Sequence, residues 1–178
     1  MRIVGGTWRG RFIKVPKKGI RPTKGIVRGA IFDIIGTGVK QAEVLDIFAG
    51  SGALGLEALS RGAKTCTFVE KAPKCLFHNI ESFDIRKEVT VLTKDFRPAL
   101  KKLAKIQFDL IFADPPYRKQ YATKTVSLIA QHKILRNGGL IVLEHSPGED
   151  MSFPDTFSMF KRKKYGDTMI SFLEHRRH

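Results

Sequence analysis

The sequence predicts an α/β protein built on a Rossmann-like, mostly parallel sheet with an antiparallel hairpin at its C-terminal edge. Two features of the patterning carry that prediction. From Val44 onward, short apolar runs rich in β-branched residues alternate with segments of helical period, the signature of a parallel sheet covered on both faces. The last two apolar stretches, 157–165 and 168–173, have only Gly166-Asp167 between them, too little chain for a crossover helix, so they pair antiparallel.

The elements follow in order. Residues 44–48 form the first strand; the chain then passes through Ala49-Gly50-Ser51-Gly52 into Leu54, Leu56, Ala58 and Leu59 at helical spacing, so the period changes across the glycines as at the opening of a βαβ unit. The second strand is 65–70 with its helix over 73–82, and the third is 89–93, leading into a helix over 96–104. The fourth strand is 108–113, followed by a helix over 121–132, and the fifth is 139–144. Internal repeats, low-complexity segments and long interdomain linkers are absent.

Composition bounds the partners. The 178 residues suffice for about one domain with a sizeable core. A formal charge of +15 at pH 7 favours a polyanionic partner, most economically nucleic acid. No apolar run approaches the length of a membrane span and the N-terminus lacks a signal-peptide core, which points to a cytoplasmic protein. Cys66 in a strand and Cys75 in a helix lack metal-ligand spacing and read as core thiols of a reducing compartment.

Residues 1–38 differ from the rest. Arg2, Arg9, Arg11, Lys14, Lys17, Lys18, Arg21, Lys24 and Arg28 precede or follow one another with no acid before Asp33. Ile3-Val4, Gly5-Gly6 and Phe12-Ile13-Lys14-Val15 suggest a small hairpin closed by Pro16 and Gly19. Trp8 within it either stacks a base or plugs a small core. After Pro22, Thr23 caps a helix whose stripe is Ile26, Val27, Ala30, Ile31 and Ile34, packed on the main domain. The chain thus divides into 1–38, a basic appendage of hairpin and helix suited to a nucleic-acid backbone, and 39–178, the domain of alternating strands and helices. Within the appendage, Arg2, Trp8, Arg9, Arg11, Lys14, Lys17, Lys18 and Arg21 are the candidate RNA contacts.

Gly50, Gly52 and Gly55 match G-x-G-x-x-G between a strand and a helix, and Glu70 stands at the end of the second strand where an acid meets a ribose. A nucleoside-containing cofactor is implied. Asp46 lies four residues before Gly50, at the strand end facing the same crevice. An acid there repels a pyrophosphate and attracts a cation; S-adenosylmethionine carries a sulfonium, an ammonium and no phosphate. Phe48, Ala49 and Ser51 complete the turn, and at the end of the third strand Asp95, with Phe96 after it, either caps a helix or accepts from an adenine amino group. The structural alternative for the turn is that Asp46 bonds it and the glycines allow close packing.

Directly after the fourth strand stands Asp114-Pro115-Pro116-Tyr117. Two prolines fix the backbone and remove two amide donors, leaving carbonyls, one carboxylate and an aromatic ring. That acceptor-rich, flat arrangement suits an exocyclic amino group on a planar base. A plain turn is the alternative. His78, His132 and His145 read as surface or structural residues.

Asp114-Pro115-Pro116-Tyr117 resembles the D/N/S-P-P-Y/F motif of amino-group methyltransferases, and Asp46 through Gly55 resembles the cofactor motif of class I S-adenosylmethionine-dependent methyltransferases. With Met1-Arg2-Ile3-Val4-Gly5-Gly6, Trp8-Arg9-Gly10-Arg11, Arg21-Pro22-Thr23, the run from Phe48 to Ala63, and Tyr165-Gly166-Asp167-Thr168, the whole chain resembles the RsmD family. Those enzymes methylate the N2 amino group of one guanine in bacterial 16S ribosomal RNA. Gly25 and Gly29 depart from the family, which usually has Asp and Glu there. The resemblance implies direct methyl transfer without a metal, by a monomer acting on 16S rRNA within a 30S subunit or an assembly intermediate. Asp114 and the Pro115 carbonyl would accept from the target amine, with Pro116 and Tyr117 completing the catalytic motif and Tyr117 stacking the base. Other readings are a DNA or tRNA amino-methyltransferase, a nicotinamide-dependent oxidoreductase, which Asp46 and the D-P-P-Y segment oppose, and a non-catalytic RNA-binding protein, which would leave both crevice motifs unexplained.

Overall fold

A computed structural model of the chain describes residues 1–16, 25–116, 120–149 and 151–176. After helix α1 (Gly25–Ile35) come β1 (Glu43–Ile47), α2 (Ala53–Ser60), β2 (Thr65–Val69), α3 (Lys74–Phe83), β3 (Val89–Leu92) and α4 (Phe96–Lys102). They are followed by β4 (Phe108–Ala113), α5 (Tyr121–Gln131), β5 (Leu135–His145), β6 (Phe157–Tyr165) and β7 (Thr168–His175). One sheet runs in the order β3-β2-β1-β4-β5-β7-β6. The first five strands in that order are parallel, while β7 is antiparallel to β5 and to β6. The order turns back at β1, so the switch point lies between β1 and β4, and the ligand crevice of such a sheet opens beyond their carboxyl ends.

Strand alternation sorts the core into two layers. Val44, Phe68, Leu110, Phe112 and Phe172 face α1, α2 and α3, whereas Leu45, Ile47, Ile111, Leu143 and Leu173 face α4 and α5. A one-residue slip would exchange these sets, so the buried faces fix the register. Helix α2 is buried along its whole length. It approaches β2 closely because residue 55 is glycine: a Cβ there would stand 2.4 Å from the Phe68 ring and 2.6 Å from Cys66 Sγ.

Four details differ from the sequence reading. Strand β5 starts at Leu135 instead of Gly139, because a register shift between Phe108 and Leu110 lets the chain pair with β4 ahead of the Gly138-Gly139 pair. In α1, Ile26 is 83% exposed and the buried face is Val27, Arg28, Ile31 and Phe32; at about 100° per residue those four share one arc of the helix and Ile26 falls on the opposite side. Cys66 is buried, but Cys75 is only half-buried, its Sγ 2.9 Å from the Lys14 carbonyl at the seam with the N-terminal segment. That segment is a ribbon with one antiparallel bridge, Arg2 to Phe12, and flanking bonds from Ile3 N–H to the Arg11 carbonyl and Ile13 N–H to the Met1 carbonyl. Gly19, Pro22 and Thr23 lie outside the described residues.

The ribbon shares the main core through Ile3 and Ile13. A single buried carboxylate fastens it. Glu57 of α2 accepts from the N–H groups of Val4 (2.9 Å) and Gly5 (2.7 Å) and from Arg61 Nε (2.9 Å), with Arg28 Nε 3.7 Å away. Arg28 is itself fully buried and donates to the Arg2 carbonyl; burial lowers its pKa and Glu57 opposes that shift. At the end of α2, the Ser60 hydroxyl donates to the Gly5 carbonyl and accepts from Trp8 N–H.

Candidate active site

The crevice end of β1 is shaped by Phe48, whose φ of +64° is uncommon for an aromatic residue. Its ring rests 4.9 Å from Phe96, which rests 5.3 Å from Tyr121, so aromatic packing holds the backbone in a conformation that costs of order 1–3 kcal/mol. The chain then turns through Gly50 and Gly52, both left-handed, and Gly52 forms the N-cap of α2. Ser51 is buried and its carbonyl accepts from Asn79 Nδ2 at 2.8 Å.

Four carboxylates converge around this turn. Asp46 is buried and accepts from Gly55 N–H at 3.0 Å; burial pushes its carboxyl up to about 7, the Gly55 bond opposes that, and the charge of Glu70 adds to it. Glu70 accepts from Gly50 N–H at 2.8 Å and from Ala72 N–H at 2.9 Å. Asp114 follows β4, and because Ala113 pairs with Leu143, Glu144 stands beside it on β5. Burial raises the Asp114 carboxyl well above the usual range, with Glu144 and Asp46 adding to the effect. By strand alternation Asp46, Asp114 and Glu144 point to the same face of the sheet.

The chemistry of this donor set tests the cofactor. A pyrophosphate would need turn amides, yet Gly50 N–H is already taken by Glu70 and the surroundings are negative. A sulfonium with an ammonium offsets that charge, so the residues fit S-adenosylmethionine.

Asp95 sits apart from this cluster. It caps α4 by accepting from Arg97 N–H at 3.0 Å and pairs with the side chains of Arg97 and Lys71, which hold its carboxyl far below the usual range. Pro115 is buried and Pro116 exposed beside Asp114, while Tyr117 lies outside the described residues.

Among the proposed RNA contacts, Arg2, Arg9, Arg11 and Lys14 are exposed on the ribbon, and Lys17, Lys18 and Arg21 lie outside the described residues. Trp8 is half-buried and packs edge-on against Phe83 with 5.2 Å between ring centroids, the packing role that the sequence offers beside base stacking. Arg11 stacks over the same Phe83 and donates to the Ser82 carbonyl, and Arg2 stacks over the exposed Phe12.

Sequence reasoning missed Glu57, Asn79, Glu144, Lys71 and Arg97. Glu57 was visible as a lone acid inside an otherwise apolar helix, and Glu144 as an acid ending a buried strand. The other three carry no local signal. A separate concavity, lined by Lys40, Gln41, Asp109, Arg136 and Glu174, opens at the amino ends of the strands, the opposite end of the sheet from these carboxylates.

Fold and crevice together define a class I S-adenosylmethionine-dependent methyltransferase. Residues 1–174 match the family model described as Conserved hypothetical protein 95. The chain belongs to the ribosomal RNA small subunit methyltransferase D family, RsmD. It is 36% identical to YlbH of Bacillus subtilis (strain 168) over 185 residues, covering 99% of this chain and 100% of that protein. It is 34% identical to the ribosomal RNA small subunit methyltransferase D of Haemophilus influenzae over 172 residues, covering 93% of this chain and 89% of that one. The solved structure of yhhF from Escherichia coli superposes with a TM-score of 0.86 at 32% identity, covering 98% of this chain and 97% of that one.

Proposed function

We propose that this protein transfers a methyl group from S-adenosylmethionine to the exocyclic N2 amino group of a guanine in 16S ribosomal RNA. The observation that carries the reading is the position of Asp114-Pro115 at the end of β4, one strand from the Asp46 glycine turn on β1. Relatives named for ribosomal RNA methylation support the RNA substrate, and the net charge of +15 is consistent with it.

S-adenosylmethionine, when bound, supplies an electrophilic methyl group on a sulfonium. This chain's residues do the rest. Asp46 and Glu70 hold negative charge and the turn at the end of β1 and β2, with Phe48, Ala49, Gly50, Ser51 and Gly52 lining the cofactor side and Asp95 and Phe96 at its adenosine end. Asp114 and the Pro115 carbonyl accept the two N–H bonds of the target amine. Its lone pair is otherwise delocalised into the base, and acceptance at both hydrogens favours the tetrahedral nitrogen that attack requires. Asp114, its proton affinity raised by burial, then takes the proton released on transfer. Tyr117 stacks the base, and the exposed cations of residues 1–38 hold the flanking phosphates. The enzyme acts as a cytoplasmic monomer on a 30S subunit or its precursor.

The test is transfer of labelled methyl to 30S particles, and separately to naked 16S rRNA, from cells lacking this activity, with the labelled nucleoside identified by mass spectrometry. N2-methylguanosine at a single site is expected. Label in adenine or in tRNA overturns the target, and tight RNA binding without any transfer overturns the enzyme.

A further inference from the structure

We propose that the outer edge strand β6, through Lys161, Arg162, Lys163 and Lys164, is a second RNA-backbone contact surface flanking the crevice on the side away from the N-terminal ribbon. The proposal rests on the RNA substrate argued above.

All four side chains are exposed, and no ion pair among the described residues uses any of them. In a strand, successive side chains point to opposite faces. A run of cations exposed on both faces therefore belongs to an edge that stands clear of the covering helices.

Register fixes where this run lies. β6 is antiparallel to β7 and β7 to β5, so β6 runs parallel to β5 and its carboxyl end lies at the crevice end of the sheet. Glu144 pairs with Ile170, which pairs with Lys163; His145 pairs with Met169, which pairs with Lys164. Since Asp114 follows Ala113, the partner of Leu143, one row crosses the sheet from Asp114 through Glu144 and Ile170 to Lys163. Three strand spacings put Lys163 about 14 Å from Asp114. The charge of Arg162 reaches the same end, where it helps to lower the pKa of His145, after burial as the main cause.

The ribbon occupies the other flank. It is bonded to α2 and α3 through Glu57, Ser60 and Asn79, on the β1–β2 side of the switch point. A base entering the crevice between β1 and β4 thus has basic surface on both sides. RNA phosphates leaving that base in one direction meet the Lys14 end of the ribbon, which Asn79 ties to Ser51 of the turn, and in the other direction meet β6.

Charge on an edge strand has a second explanation, since lysines keep exposed edges from pairing with other sheets. Glutamate blocks an edge equally well, which separates the two. The experiment compares wild type with Lys163→Glu/Lys164→Glu and Lys163→Ala/Lys164→Ala. It measures equilibrium binding to unmodified 30S particles and to 16S rRNA over a salt series, then methyl-transfer kinetics, S-adenosylmethionine affinity and thermal unfolding.

The glutamate pair is expected to weaken RNA binding by about tenfold and to lower the slope of log affinity against log salt by about 1.5, the loss of two phosphate contacts. KM for RNA should rise while kcat, cofactor affinity and melting temperature stay at wild-type values. Wild-type RNA affinity and salt slope in both variants would overturn the proposal. If wild type itself transfers no methyl to either substrate, the functional reading fails, and the binding series still decides whether β6 touches RNA.

Discussion

Asn79 and Lys14 are joined by two hydrogen bonds: Asn79 Oδ1 accepts from Lys14 N–H at 2.9 Å, and Asn79 Nδ2 donates to the Lys14 carbonyl at 2.9 Å. The same Nδ2 donates to the Ser51 carbonyl, so one buried amide on α3 ties the ribbon to the cofactor turn. Asn79→Ala leaves the Ser51 carbonyl without this donor. A loss of about 2 kcal/mol is expected in chemical denaturation, with weaker S-adenosylmethionine binding by calorimetry. Unchanged stability and affinity would show that the link is dispensable.

Glu57 makes a second such tie, and its charge matters. Glu57→Gln leaves the buried Arg28 guanidinium facing a neutral partner, which should cost about 3–5 kcal/mol. Adding Arg28→Met to that variant should restore part of the loss. Denaturation midpoints check both, and a glutamine variant within about 1 kcal/mol of wild type would contradict the account.

The raised Asp46 carboxyl predicts a pH dependence with a definite sign. Its folded value is about 7, against an ordinary value of about 4. Between these the folded state holds a proton that the unfolded state has lost, so the stability of the ligand-free protein falls as pH rises through that window. Cofactor binding behaves oppositely. A cation favours ionised Asp46, so S-adenosylmethionine should release a proton on binding and bind more tightly as pH rises toward 7, by up to about tenfold per unit. Calorimetry in buffers of different ionisation enthalpy reads the proton directly. A dissociation constant that is flat from pH 5.5 to 7.5, or one that keeps its slope in Asp46→Asn, would refute this.

Asp114→Asn keeps the shape of the acceptor site and removes its charge. Turnover should fall by about 10²-fold or more, while cofactor affinity stays within a few-fold of wild type. Near-normal kcat in a single-turnover assay would remove Asp114 from the mechanism.

Two glycines should respond in opposite ways to alanine. A Cβ at Gly29 would make ordinary contact with Val4 at 3.7 Å, and alanine is the better helix former, so Gly29→Ala should stabilise by about 0.5–1 kcal/mol. Gly55→Ala drives a methyl group into Phe68 and Cys66 and should destabilise by about 1–3 kcal/mol. Thermal melts of the two variants suffice.

The strand, turn and helix around Gly50 and Gly52 were legible because they are neighbours in sequence, and local periodicity carries them. The same locality explains the misses. Glu57 meets Val4 across 53 positions, and nothing near Arg28 distinguishes a buried partner of Glu57 from one more cation in a basic segment. The contact of Trp8 with Phe83 joins it to a helix beyond the glycine turn, 75 positions away, which no local pattern gives. The cluster of Asp46, Asp114 and Glu144 was half visible: each ends a strand, and only the strand order reveals which of them are neighbours.

That strand order also bears on how the chain can be made. Strand β7 follows β6 in sequence but lies inside it in the sheet, between β5 and β6. Synthesis from the amino end delivers β6 first, with no neighbour to join until Thr168–His175 has followed it. Completion of the sheet is therefore a late event, governed by the emergence of its penultimate strand in space and its last in time.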